Sequence, residues 1–250
     1  MGWAVARRHI RLDVQYDGTD YAGFCIQPRV PTIQGELQSA LARLLGEPVH
    51  LTAASRTDAG VHALGQVVAF FTESRVPVER LPRALNELLP QDIAVTAAEE
   101  VPESFHPRFD AVGKLYTYRI LNRPVRSPII CRYAWHVPEP LDLEAMGRAA
   151  EVLVGEKDFG AFCAAGGVAR STVRNLYRLD LDTNADVIEM RLGADGFLYM
   201  MVRIIVGTLV EVGLGRRDWM EIEDILASRD RRRAGKTAPP QGLCLVRVDY

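Results

Sequence analysis

Little in this chain marks a secreted or membrane-spanning protein. Only four of its 250 residues are cysteines, Cys25, Cys131, Cys163 and Cys244. No two stand close enough for a C-x-x-C pair, so neither a zinc nor a dithiol redox signature is present. The count is also too low for a secreted disulfide framework, and the four read as free thiols in a reducing compartment. No signal peptide is read at Met1–Ala6, which is mildly apolar but is followed at once by Arg7, Arg8 and His9. The most apolar stretch, Phe197 to Leu214, carries Arg203 and Glu211 in its middle. Charges at the centre of a bilayer are costly, so this stretch predicts a buried core helix, no membrane association and a cytoplasmic location. Net charge is nearly absent too, at −2 from 30 basic and 32 acidic residues. No global field draws the protein to a polyanion, and a nucleic-acid partner then requires basic residues clustered on one face.

What is present is a chain that is 48% apolar, enough for a sizeable core. Ile10, Leu12, Val14 and Tyr16 alternate with polar residues over His9 to Asp17, the pattern of a half-buried strand. Ile33, Leu37, Leu41 and Leu44 mark a helix, with Thr32 placed to cap its start and Gly46 to stop it. Strands are predicted at Val49 to Ala54, Gln66 to Thr72 and Ile93 to Ala97, with a helix over Arg80 to Leu89. The first half thus reads β-α-β-β-α-β. The second half repeats the order. A strand is predicted at Lys114 to Leu121 and a helix at Leu143 to Val154. A hairpin follows over Thr172–Asp182 and Val187–Leu192, then helices at Phe197–Val212 and Trp219–Ala227. A strand at Leu243–Asp249 closes the chain. Two such copies predict an α+β protein of two ferredoxin-like (βαββαβ) halves, 1–105 and 106–250. The halves are expected to join into one extended, antiparallel-rich sheet with helices packed on it. The joint falls near Val101 to Ala111, where Pro102 and Pro107 interrupt regular structure.

The segment richest in chemistry is Ser55-Arg56-Thr57-Asp58-Ala59-Gly60-Val61-His62-Ala63. Its small residues permit close approach to the backbone. Arg56 and Asp58 are two apart and share a side in extended geometry. A nearby cation favours an ionised carboxylate, able to act as nucleophile or base. The plainer alternative is an Asx-turn flanked by ordinary loop residues, with His62 structural.

RTDAGVHALGQ resembles the signature loop of the A-type tRNA pseudouridine synthases, the TruA family. Further blocks resemble that family in order along the chain: YDGTDYAGF with PTIQGELQSAL, NELLPQDIAV, SFHPRFDAVGKLYTYRI, GEKDFGAF, FLYMMVRIIVGTLVEVG and AGKTAPPQGLCLVRVDY. The resemblance implies the pseudouridine synthase fold, with Asp58 as catalytic residue, Tyr116 against the target base and Arg203 facing the carboxylate; Arg56 is read as supporting from its place two residues before Asp58. It implies action on uridines 38 to 40 of the tRNA anticodon stem-loop, no cofactor, no metal, and a homodimer. The chain departs from the pattern at Cys25, Ser55, Lys114, Met200 and Ile204.

The reaction so implied breaks the N1–C1′ bond, turns the base and rejoins it through C5. A carboxylate serves it by attacking C1′, by adding to C6, or by removing the C2′ proton, and the sequence does not choose. The uridine must leave its stack at a cost of a few kcal/mol, and stacking on Tyr116 returns roughly 1–3 kcal/mol. An RNA track is expected from Arg229, Arg231, Arg232, Arg233 and Lys236, with Arg7, Arg8, Arg123, Arg126 and Arg132 as looser contributors. Two rival readings are a non-catalytic RNA-binding module of the same fold and a glycosidase. The latter usually needs a second carboxylate in the site.

Overall fold

The computed structural model describes residues 7–167 and 170–250. The reading of Met1–Ala6 lies outside them. Two compact units divide the chain, Met1–Ala111 with Leu245–Tyr250, and Val112–Cys244. The C-terminal strand, read from sequence as closing the second half, thus gives Leu245–Tyr250 to the first unit.

The first unit runs β1 (Arg8–Tyr16), α1 (Ile33–Leu45), β2 (Thr52–Ala53), β3 (His62–Thr72), α2 (Leu81–Asn86) and β4 (Ile93–Glu100). β1 lies between β3 and β4, β2 pairs with β3, and these pairings are all antiparallel. This β4-β1-β3-β2 order is the expected ferredoxin-like one. The alternation in β1 places Ile10, Leu12, Val14 and Tyr16 in the core. Arg11 faces out and pairs with Asp13 and Glu99. α1 forms as its signals predict. Gly35 N–H donates to Thr32 Oγ1 (3.3 Å), and Gly46 ends the helix in the left-handed conformation at φ 74°. α2 is shorter than predicted. Leu88 and Leu89 N–H both turn back onto the Leu85 carbonyl before Pro90. Asn86 clamps Val95 through both its N–H (2.8 Å) and its carbonyl (3.0 Å), fixing the helix end to β4.

The second unit runs β5 (Gly113–Asn122), β6 (Trp135–Val137), α3 (Leu143–Leu153), β7 (Gly155–Asp158), β8 (Val173–Asn184), β9 (Val187–Ala194), α4 (Met201–Gly213) and α5 (Glu221–Ser228), and leads into β10 (Leu243–Asp249). β9 pairs antiparallel with both β5 and β8, and β8 with β7. β6 is a short parallel addition to β5. α3 packs beside α4 and over β8. β6 and β7 were not predicted: Gly-Glu-Lys-Asp carries no β-forming pattern, and its strand exists because β8 offers an edge. α4 starts four residues later than predicted, because Met200 takes a left-handed conformation (φ 59°) that ends the preceding segment. Within α4 almost every residue is buried, as the apolar run predicts. Among the described residues no helix is long and apolar enough to cross a membrane.

Candidate active site

Asp58 stands in the turn that leads into β3. Val61 N–H donates to the Asp58 carbonyl (3.1 Å), and Gly60, at φ 76°, occupies the position where such a turn requires positive φ. Asp58 itself is half-buried. Arg56 and Ala59 are exposed, while Thr57, Val61 and His62 are buried. Arg56 and Asp58 therefore occupy different environments although they are two residues apart.

The turn is gripped from below by side chains that sequence reasoning passed over. Gln66, fully buried, accepts from Ser55 N–H (3.1 Å) and donates to the Ser55 carbonyl (2.8 Å). Those two partners fix its amide orientation, so its Nε2 is also the donor to the Tyr16 hydroxyl (3.3 Å). The Tyr16 hydroxyl in turn shares a hydrogen bond with Thr57 Oγ1 (2.7 Å). The available signal was a glutamine opening an otherwise apolar strand, a position that demands satisfied hydrogen bonds.

From the side, the strap 17–24 runs alongside the turn main chain to main chain. Phe24 N–H donates to the Thr57 carbonyl (3.0 Å) and Gly60 N–H to the Tyr21 carbonyl (3.3 Å). The contact is so close that a Cβ on Gly18 would stand 2.0 Å from the Val61 carbonyl oxygen. The strap is anchored in turn by Tyr21, whose hydroxyl donates to Asp92 Oδ1 (2.7 Å). Burial, then that bond and the Asp92 charge, push the phenol well above its ordinary range.

In the second unit, Tyr116 lies on β5 opposite Leu192, buried, its ring edge-on to Phe197 at 5.2 Å. Arg203 sits in the first turn of α4, half-buried. Its Nε donates to the Ala238 carbonyl (2.8 Å), and Ala238 N–H donates back to the Arg203 carbonyl (2.9 Å). Next to it, Tyr118 O–H donates to the Pro239 carbonyl (2.7 Å). Burial raises the Tyr118 pKa strongly, against a smaller lowering by the Arg203 charge, so this phenol stays protonated.

The basic run is less basic than its letters. Arg229 Nε pairs with Asp158 (2.8 Å), and Arg232 binds Asp230 through Nε and Nη2 (3.0 and 2.7 Å). The Arg232 side-chain hydrogen bond holds the Asp230 pKa down at about 2. Arg231 and Arg233 bond neutral acceptors, the Thr237 hydroxyl (3.0 Å) and the Asp224 carbonyl (3.4 Å). Lys236 lies over the Trp135 ring at 5.2 Å. Of the looser contributors, Arg8 pairs with Glu100 and Arg123 with Asp186.

The model of the tRNA pseudouridine synthase family matches residues 13–110 and 149–250, most of the chain and both units. The chain belongs to the tRNA pseudouridine synthase family. It is thus of the isomerase class that converts uridine to pseudouridine in tRNA. Full-length relatives agree. A tRNA pseudouridine synthase A from Thermoanaerobacter sp. (strain X514) is 49% identical over 97% of this chain and 100% of its own length. One from Moorella thermoacetica is 50% identical over 96% and 99%. One from Brevibacillus brevis is 48% identical over 97% and 100%. The family match includes the turn bearing Asp58 and the helix bearing Arg203.

Proposed function

We propose that this synthase isomerises uridines 38 to 40 of the anticodon stem-loop, in the cytoplasm, as a homodimer without a cofactor. Asp58 is its catalytic carboxylate, Tyr116 its base-stacking residue, and Arg56 and Arg203 its supporting cations. One observation carries the assignment of Asp58. In a turn where Thr57, Val61 and His62 are buried while Arg56 and Ala59 are exposed, it keeps partial solvent access on a backbone braced from two directions. A carboxylate that must meet a ribose needs this combination of access and fixed position, because misplacement costs rate steeply. Each of the three routes, through C1′, C6 or C2′, begins with that carboxylate ionised.

The test is tritium release from C5-labelled uridine in tRNA. Asp58→Asn should lower turnover by at least about a thousandfold, some 4 kcal/mol of transition-state stabilisation. Its affinity for tRNA should stay within threefold of wild type. Turnover near wild type would remove Asp58 from the chemistry. Mapping the modified sites in tRNA from cells with and without the protein tests the assignment to positions 38 to 40.

A further inference from the structure

His62 follows the catalytic turn by one residue and is 6% exposed, a buried imidazole that the proposed chemistry does not use. Its Nδ1 accepts from Gly18 N–H at 3.1 Å and stands 3.1 Å from Asp17 Oδ1. One nitrogen cannot serve both partners in one state. Gly18 N–H can only donate, so that bond needs the lone pair of a neutral ring; a protonated Nδ1 would turn to Asp17 instead. Asp17 Oδ1 is already served by Thr19, through its N–H (3.0 Å) and its hydroxyl (2.5 Å). With Nδ1 as acceptor, His62 holds Gly18 N–H while both Thr19 donors hold Asp17 Oδ1.

Gly18 is the head of the strap that braces Asp58. Tyr21 N–H returns to the Gly18 carbonyl (3.1 Å), and the Tyr21 carbonyl receives Gly60 N–H. Further along, Gly23 (φ 102°) lies so close to the turn that a Cβ there would be 3.0 Å from the Thr57 carbonyl oxygen and 3.2 Å from the Asp58 carbonyl carbon. The strap thus touches the turn at Thr57, Asp58, Gly60 and Val61. From the β3 side, His62 fastens the strap's first residues.

We propose that His62 is a positioning residue: by holding Gly18 through Nδ1 it seats the strap 17–24 against the turn and so fixes where the Asp58 carboxylate stands. The inference rests on the assignment of Asp58, and the experiment separates the two. Removing the latch should let the turn shift without weakening the grip on tRNA, so kcat falls and KM does not follow. His62→Leu should lower kcat at least tenfold with KM for tRNA within threefold. Hydrogen exchange in peptides covering 55–61 should speed up, while peptides of β8 and β9 keep their rates. An asparagine places its oxygen where Nδ1 was, whereas a glutamine places its own near Nε2. His62→Asn should therefore recover kcat to within threefold of wild type, and His62→Gln should not. That pair also carries the test if the leucine variant does not fold. The proposal is overturned if His62→Leu turns over within twofold of wild type, if its loss lies wholly in KM, or if the Asn and Gln variants are equally active. An inactive Asp58→Asn beside a fully active His62→Leu would remove the latch and leave the catalytic assignment standing.

Discussion

Gly207→Ala sets two effects of opposite sign against each other. Gly207 lies in the interior of α4, where propensity alone favours alanine by about 1 kcal/mol. The structure opposes the change. A Cβ at Gly207 would stand 1.7 Å from the Lys236 carbonyl oxygen, main chain that no rotamer can clear. Non-bonded heavy atoms need more than 3 Å, so the 234–240 segment would have to retreat by roughly 1.5 Å. Four hydrogen bonds hold that segment to the helix: Arg203 Nε to the Ala238 carbonyl (2.8 Å), Ala238 N–H to the Arg203 carbonyl (2.9 Å), Gly235 N–H to Thr208 Oγ1 (2.9 Å) and Lys236 N–H to Glu211 (3.0 Å). A retreat of this size breaks most of them. At about 1 kcal/mol each the loss is roughly 3–4 kcal/mol. Geometry therefore outweighs propensity, and the net cost is about 2–3 kcal/mol. For a chain of this size that is a fall in Tm of roughly 5–10 °C, read by circular dichroism. Turnover measured well below the transition should fall too, because Arg203 loses the carbonyl that fixes its guanidinium. A Tm unchanged or raised would show that the segment yields freely, and the account of how Arg203 is held would fail.

Thr32→Ala removes the side-chain acceptor at the start of α1 and should cost about 1 kcal/mol, seen as a lower urea midpoint with unchanged slope. Asp158 is held below the ordinary carboxylate value of 3.8, chiefly by the Thr172 hydroxyl, with Gly160 N–H and the Arg229 charge adding and burial opposing. A depressed folded pKa contributes stability above the ordinary value and loses it as pH falls through the lower one. Wild type should therefore lose more of its urea midpoint than Asp158→Asn on acidification below pH 4. Identical profiles would refute the pairing. In tRNA binding, Arg233→Gln and Lys236→Gln should each flatten the dependence of log affinity on log salt by roughly 0.7–0.9. Arg229→Gln and Arg232→Gln should change it less, since each already has its own carboxylate. Equal slopes for all four would mean that these internal pairs open on contact with RNA.

Where a single side-chain pattern decides an element, the sequence carried it. Thr32 and Gly46 bound α1 as predicted, and the alternation in β1 named its buried face. Elements decided by a neighbour were not legible. Gly155–Asp158 is a strand because β8 pairs with it, and Met200 delays α4 through a backbone angle that nothing in its side chain announces. The candidate site divides the same way. Asp58 was singled out by its motif, whereas the hydrogen bonds of Gln66, Tyr16 and His62 run to residues 11, 41 and 44 positions away, which only folding brings close. The basic run was read with Asp230 as its one opposing charge; the fold brings up a second, Asp158, against Arg229.

The way the turn is held also explains how one departure from the family pattern is tolerated. Ser55, directly before Arg56, is one of the positions where the chain departs from the pattern it resembles. Gln66 grips that residue through its N–H and carbonyl, main-chain atoms that any residue at position 55 supplies. Phe24 and Tyr21 likewise meet the turn through main-chain atoms of Thr57 and Gly60. The contacts received by Ser55, Thr57 and Gly60 main-chain atoms do not depend on the side chain at position 55, although the Gln66 and His62 side chains that hold the turn and its strap are themselves required. Glycine is then required where two main chains touch, as at Gly18 against Val61, and not at every small-residue position of the motif. The constraint on this loop is the separation of two backbones, and Asp58 is carried on the turn whose position that separation sets.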